Sequence, residues 1–240
     1  TLGKEFASHG YPTLLTTTTH IMKPDFLSDE SYIENEDLGQ LANIFTNLKK
    51  NTLPLAALGI PEKVVNSNVK WRSPSSDFCK KIAEFSKKFS TKNPYKFLKI
   101  LCEGDGSKRL PIKLPKDGEP VFFPKTDTVI SVIGLSCLGK PIKETLFRYE
   151  LLPNLTSLDN YFIKSLQSAD IVTTDFLYRL CLSEKGLRKN ITSQKFCIIF
   201  NQADILDEKA LAEVITLRNQ LQTKGICSHI ISVKNNYIIN

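Results

Sequence analysis

Seven short, continuous apolar runs punctuate the chain, at residues 13–16, 53–58, 97–102, 128–134, 170–173, 196–200 and 229–233. Apolar runs of this length without polar alternation read as strands buried on both faces. Helical periodicity fills the intervals. Phe78, Ile82, Phe85 and Phe89 recur behind a Ser75-Ser76-Asp77 cap, Leu158, Phe162 and Leu166 make a second stripe, and Leu211, Val214, Ile215 and Leu221 make a third behind Asp207. Strand, helix and strand in repetition predict an α/β fold built on one doubly wound, mainly parallel sheet with helices on both faces. A single domain over residues 1–240 is expected. Residues 66–76 and 110–124 read as long irregular stretches, the second as a surface loop crossing the sheet's edge.

Composition narrows the class. With 240 residues, 41% hydrophobic and 24% charged, the chain is expected to bury about 70 to 75% of its unfolded surface, which disfavours disorder. No window approaches 18 consecutive apolar residues, and no charged start leads into an apolar run, so the default expectation is a cytoplasmic protein. Leu2 and Phe6 read as a helix stopped at His9-Gly10 and followed by a strand from Tyr11. A buried parallel strand rarely follows an orphan helix, so a further segment is expected before Thr1.

The charge balance is 32 basic against 25 acidic residues, or +7, and it is uneven. Residues 70–116 hold 13 Lys or Arg and four acids, a local +9, whereas residues 25–37 hold six acids and no base. The aromatics interleaved in the basic stretch, Phe78, Phe85 and Phe89, fall at helical spacing and read as core, which favours a solvated face or a phosphate-binding region over a nucleic-acid surface. The six cysteines are scattered singly with no CxxC, and His9, His20 and His229 form no HExxH or His/Cys cluster. Reduced, mostly buried thiols are expected, and any metal is expected to be held by oxygen.

In open α/β sheets ligands bind beyond the carboxyl ends of strands, and three such ends are chemically unusual here. The first is Thr16, Thr17, Thr18 and Thr19, followed by His20. Four hydroxyls can meet phosphate oxygens or the waters of Mg²⁺, although a threonine run is also what an ordinary strand edge shows, and a lone histidine is more often structural than a general base. The second is Glu103-Gly104-Asp105-Gly106-Ser107-Lys108-Arg109. Two carboxylates one residue apart after an apolar strand resemble the Walker B arrangement, glycines let backbone approach a phosphate, and Lys108 and Arg109 supply cations; a bland Gly-Asp-Gly turn is the alternative. The third is Asn201-Gln202-Ala203-Asp204, shaped like the NKxD element that reads guanine through its aspartate, with Gln202 in place of lysine. Asp204 can equally cap a turn.

Together TTTTHI at 16–21, CEGDGSKRLPIKLP at 102–115, TDTVISVIGLSCLGKPI at 126–142 and FNQAD at 200–204 resemble the YqeC family, accessory proteins for selenium-dependent molybdenum hydroxylases. The resemblance implies a P-loop-NTPase-like fold and a nucleoside-triphosphate-binding maturation factor that hydrolyses its nucleotide slowly. It also implies Mg²⁺ with ATP or GTP as cofactor, and a molybdenum hydroxylase or its cofactor and selenium delivery machinery as client. No GxxxxGK[ST] occurs; Gly3-Lys4 and Gly139-Lys140 lack its frame, and the family's Walker A loop is expected before Thr1. On this reading Glu103 and Asp105 are the catalytic and Mg²⁺-binding acids. Thr16 to Thr19, Lys108, Arg109, Asn201 and Asp204 bind nucleotide, and His20, Arg148 and Glu150 contact client or ligand. The family's His-Arg-Pro-Glu is Phe147-Arg148-Tyr149-Glu150 here, so its histidine has no counterpart. A non-hydrolysing nucleotide-sensing adaptor and a phosphoryl-transfer enzyme resembling dethiobiotin synthetase are the alternatives.

Overall fold

The computed structural model describes residues 2–46, 53–92, 97–155, 170–235 and 237–239. The chain divides into two compact units, the first made of Thr1–Gly106 and Val121–Lys125, the second of Ser107–Pro120 and Thr126–Asn240. Each is α/β, with a parallel sheet flanked by helices and its own apolar core. The alternation of strand and helix is therefore present, but two sheets carry it rather than one.

The first unit runs α1 (Leu2–Ser8), β1 (Thr13–Thr17), β2 (His20–Met22), β3 (Tyr32–Ile33), α2 (Leu38–Thr46), β4 (Leu55–Leu58), β5 (Ile60–Val65), β6 (Asn68–Arg72), α3 (Ser76–Lys92) and β7 (Lys99–Glu103). Gly10 ends the first helical turn region as expected, with φ +80°, while Tyr11 N donates to Phe6 O at 3.0 Å. The parallel sheet has the order β3-β4-β1-β7. β1 lies at its centre, pairing Thr13 with both Leu55 and Lys99 and ending at Thr17 opposite Glu103. Leu14, Ile33 and Leu58 bury against Leu41 and Phe45 of α2 and Phe78, Ile82 and Phe89 of α3, each such side chain worth about 1.5 to 3 kcal/mol. The α3 cap is Ser75, whose Oγ accepts from Phe78 N at 3.2 Å and whose own N and Oγ donate to Glu36.

Residues 66–76 are not irregular throughout. β5 and β6 form an antiparallel hairpin with β2 on its far side, and Asn66 and Ser67 at its tip both take positive φ, 48° and 64°, as a two-residue hairpin turn requires. The sheet clamps Trp71, which is fully buried against Tyr32 and Ala57 and donates Nε1–H to Glu34 at 2.9 Å. A Cβ on Gly59 would run into the Trp71 ring, so this backbone approach needs glycine.

The second unit runs β8 (Ile112–Lys113), β9 (Thr128–Gly134), α4 (Ile142–Thr145), β10 (Leu146–Phe147), α5 (Thr174–Leu182), β11 (Lys195–Asn201), α6 (Glu208–Thr223), β12 (Cys227–Ser232) and β13 (Tyr237–Ile239). Its main sheet has the order β13-β12-β11-β9, parallel except for β13. Asp207 caps α6, accepting from Ala210 N at 2.7 Å, and Val214, Leu217 and Leu221 bury with Ile198, Phe200 and Ile230 of the sheet. Two expectations change here. Residues 170–173 make only isolated bridges, and Thr173 serves as the cap of α5. Residues 110–124 are more than a surface loop: Ile112 and Leu114 enter the core, and β8 pairs with β10. The stripe at Leu158, Phe162 and Leu166 lies outside the described residues.

Candidate functional site

The threonine run and the first acid of the Glu103 motif meet at the carboxyl end of the first unit's sheet. Thr17 Oγ1 donates to Glu103 O at 3.0 Å and accepts from Thr19 N at 2.9 Å. Thr18 N also donates to Glu103 O at 3.0 Å, and the Thr18 hydroxyl donates to Val121 O at 2.5 Å. These bonds weld the β1 and β7 termini together and hold residue 121 beside them. Thr16 Oγ1 is buried without a hydrogen-bond partner among the described residues. Gly104 passes so close to the 121 backbone that a Cβ would lie 3.1 Å from Val121 O, and a Cβ on Gly106 would lie 3.6 Å from Glu103 Oε1. Gly104 is thus crowded whereas Gly106 has ordinary room, Glu103 is exposed and Asp105 half-buried. His20 is not part of this corner's bonding; its Nε2 meets Glu62 Oε1 at 3.2 Å across the antiparallel sheet. Cys102 at the same strand end has its thiol pushed up to about 12 by burial.

The remaining motif residues belong to the second unit, where Ser107, Lys108 and Arg109 begin it. Lys108 and Arg109 both take positive φ, 52° and 66°, and so does Arg148 at 66°. For side-chain-bearing residues this left-handed backbone costs on the order of 1 to 3 kcal/mol each. Around them is a compact charged cluster. Arg148 grips Glu119 with both terminal nitrogens, Nη2 at 3.0 Å from Oε1 and Nη1 closer still to Oε2, while Lys113 Nζ lies 2.9 Å from Oε2 and Lys116 Nζ 4.0 Å from Oε1. The Phe147 ring carries Lys108 Nζ at 5.0 Å, Lys113 Nζ at 5.6 Å and Arg148 Cζ at 4.8 Å from its centroid. Bonds from Arg148 and then Lys113 hold the Glu119 carboxyl at about 2, against burial, and burial lowers the Lys113 ammonium. Four cations against one carboxylate leave an anion-attracting patch. Arg148 is thereby a clamp on Glu119, and Glu150 sits exposed in the turn that follows.

The third strand end is tied inward. Asp204 Oδ1 accepts from Ser232 Oγ at 2.6 Å, and Asn201 Oδ1 accepts from Val233 N at 3.2 Å. Gln202, with φ 72°, turns the chain and accepts from Ser136 N at 3.3 Å. These bonds join the carboxyl ends of β11 and β12.

A sequence model of the YqeC protein family matches residues 1–150. The chain belongs to the YqeC family. No curated protein and no solved structure matches it. The YqeC match takes in the threonine run, both carboxylates of the 103–109 motif and the whole Arg148–Glu119 cluster, and it stops before Asn201 and Asp204.

Beyond the YqeC match lies an arrangement that sequence reasoning missed. The expectation that histidine and cysteine form no cluster fails at Cys197, Cys227 and His229, whose sulfur and nitrogen atoms all lie within 4.8 Å of one another. Cys197 is 30 positions from Cys227 along the chain, and the parallel pairing of β11 with β12 joins them, which no local spacing announces. Glu119 was missed for a similar reason, since only the folded 107–120 segment brings it to Arg148.

Proposed function

We propose that this YqeC-family protein binds a nucleoside triphosphate with Mg²⁺ and serves as a maturation factor for a selenium-dependent molybdenum hydroxylase, hydrolysing the nucleotide slowly. The observation that supports it is the corner at Thr17, Thr18 and Glu103. Hydroxyl and backbone bonds fix an acid-glycine-acid-glycine turn at the carboxyl edge of a parallel sheet, the edge at which α/β folds take their ligands. The donor set suits the ion: carboxylate and hydroxyl oxygens are hard ligands of the kind Mg²⁺ accepts, directly or through its waters. Glu103 or Asp105 would hold the metal or orient a water, and the glycines would let phosphate approach the backbone. When bound, Mg²⁺ would neutralise charge developing between the β and γ phosphates. Within the second unit, the Lys108, Lys113, Lys116 and Arg148 cluster is by itself a surface that would attract phosphate or an anionic client ligand.

The test is calorimetric titration of the full chain with Mg-ATP and Mg-GTP, beside Glu103→Gln and Asp105→Asn, with phosphate release followed in parallel. Loss of a carboxylate that meets the metal should weaken binding by about 1 to 3 kcal/mol, the scale of a charged hydrogen bond, with the fold intact by circular dichroism. Binding without phosphate release makes the protein a nucleotide-sensing adaptor. No binding of either nucleotide removes the reading.

A further inference from the structure

Two thiols and an imidazole share one face of the second unit's sheet. The parallel register places Cys197 opposite Cys227 and Ile199 opposite His229. Cys227 and His229 are two residues apart on one strand, so both project to the same face, and both are exposed while the intervening Ser228 is buried. Cys227 Sγ lies 3.1 Å from Cys197 Sγ and 3.5 Å from His229 Nε2. On the other side of β11 the register sets Ile130 beside Cys197, so the cluster has an apolar margin.

We infer that Cys197, Cys227 and His229 form a binding site for a thiophilic divalent cation of the zinc class, with the fourth coordination position left to a ligand from outside. Metal bonds of about 2.3 Å to sulfur and about 2.0 Å to nitrogen at tetrahedral angles put sulfur and nitrogen about 3.5 Å apart and two sulfurs about 3.8 Å apart. The first spacing is already present between Cys227 and His229, and Cys197 lies within 4.8 Å of the imidazole. The second needs the sulfurs to separate by about 0.7 Å on that scale, within reach of a small rotation of the exposed Cys227. A disulfide would need the sulfurs to close to about 2.0 Å, and it gives no reason for an imidazole at ligand distance. Two thiolates and one imidazole are a soft to borderline set, which selects zinc-like ions over the Mg²⁺ of the oxygen-rich corner. Two thiolates against a divalent ion leave no net charge beside Ile130.

Binding must expel thiol protons. The thiolate is the ligand form, so metal uptake is coupled to proton release.

The experiment is titration of the reduced, metal-free full chain with Co²⁺, followed by displacement with Zn²⁺. One equivalent of Co²⁺ should give the intense visible absorption of a tetrahedral thiolate site, bleached by Zn²⁺, with proton release seen as a dependence of binding heat on buffer ionisation. Cys227→Ser and His229→Gln should each weaken binding at least about tenfold, as loss of one ligand in a small set implies, with circular dichroism unchanged. His9→Gln, on an exposed helix end, should bind as the wild type does. Absence of the cobalt absorption in reduced protein overturns the site, as does unchanged affinity in Cys227→Ser. A Cys197–Cys227 disulfide found by non-reducing peptide mapping of protein kept under reductant overturns it in favour of a covalent staple.

Discussion

Thr17 and Glu103 face each other at the last rung of the β1–β7 ladder, and the Thr17 hydroxyl serves two backbones at once, donating to Glu103 O at 3.0 Å and accepting from Thr19 N at 2.9 Å. Thr17 is fully buried, so Thr17→Val, which keeps the shape and removes the hydroxyl, leaves Thr19 N without that acceptor. The expected cost is about 1 to 3 kcal/mol, the penalty of an unsatisfied buried group. Urea unfolding at neutral pH measures it; a midpoint equal to wild type would show that Thr18 alone holds the strand ends.

The Glu119 carboxylate supplies a pH signature. Its folded pKa is lowered from 4.5 to about 2, chiefly by Arg148. Its contribution is therefore full above the unfolded value and is lost as pH falls through the interval from about 4.5 to about 2, amounting to on the order of 3 kcal/mol. Glu119→Gln should destabilise the protein at pH 7, because Arg148 and Lys113 keep their charges without the carboxylate between them. The gap between wild type and variant in urea midpoint should narrow steadily below pH 4.5. A gap that stays constant down to pH 2.5 would assign the loss to packing.

What the sequence made legible was local. The α3 stripe of Phe78, Ile82 and Phe89, the Asp207 cap and the β1, β9 and β11 runs all follow from neighbours a few residues apart, where periodicity and capping act. The β5–β6 hairpin was not legible, because β5 is almost wholly exposed and shows no alternation, and Asn66-Ser67 is a weaker turn signal than Asn-Gly. The charge count of the acidic 25–37 stretch says nothing of its roles, yet Glu34 receives the Trp71 indole, Glu36 holds Ser75, and Asp37 accepts from Gly39 N and Gln40 N at the start of α2. At the candidate site the strand ends could be found from the apolar runs that precede them. Glu119 under Arg148, and Cys197 beside Cys227, could not, since each depends on pairing between distant segments.

Arg109 carries a side chain on left-handed backbone, φ 66°, at an exposed position. Glycine would relieve that conformation, so Arg109→Gly should leave stability unchanged or raise it by up to about 1 kcal/mol. If Arg109 meets phosphate as proposed, the same change should weaken binding of inorganic phosphate or Mg-nucleotide. Thermal unfolding and calorimetric titration give the two readings. A clear loss of stability would mean that the arginine is retained for packing.

Asp204 has two candidate roles that one pair of variants separates. The guanine reading of Asn201-Gln202-Ala203-Asp204 predicts tighter binding of GTP than of ATP, because adenine offers the carboxylate no N1 hydrogen and leaves an acceptor unpaired. The structural role is the bond that Asp204 Oδ1 accepts from Ser232 Oγ at 2.6 Å, which ties β11 to β12. Asp204→Ala removes both, with an expected stability loss of about 1 to 3 kcal/mol as the buried Ser232 hydroxyl loses its acceptor. Ser232→Ala removes the tie and keeps the carboxylate. Competition titrations of GTP against ATP should therefore show a preference in wild type and Ser232→Ala that disappears in Asp204→Ala. Equal affinities in the wild type, or a preference that survives Asp204→Ala, would leave the carboxylate as the bond between two strand ends and nothing more.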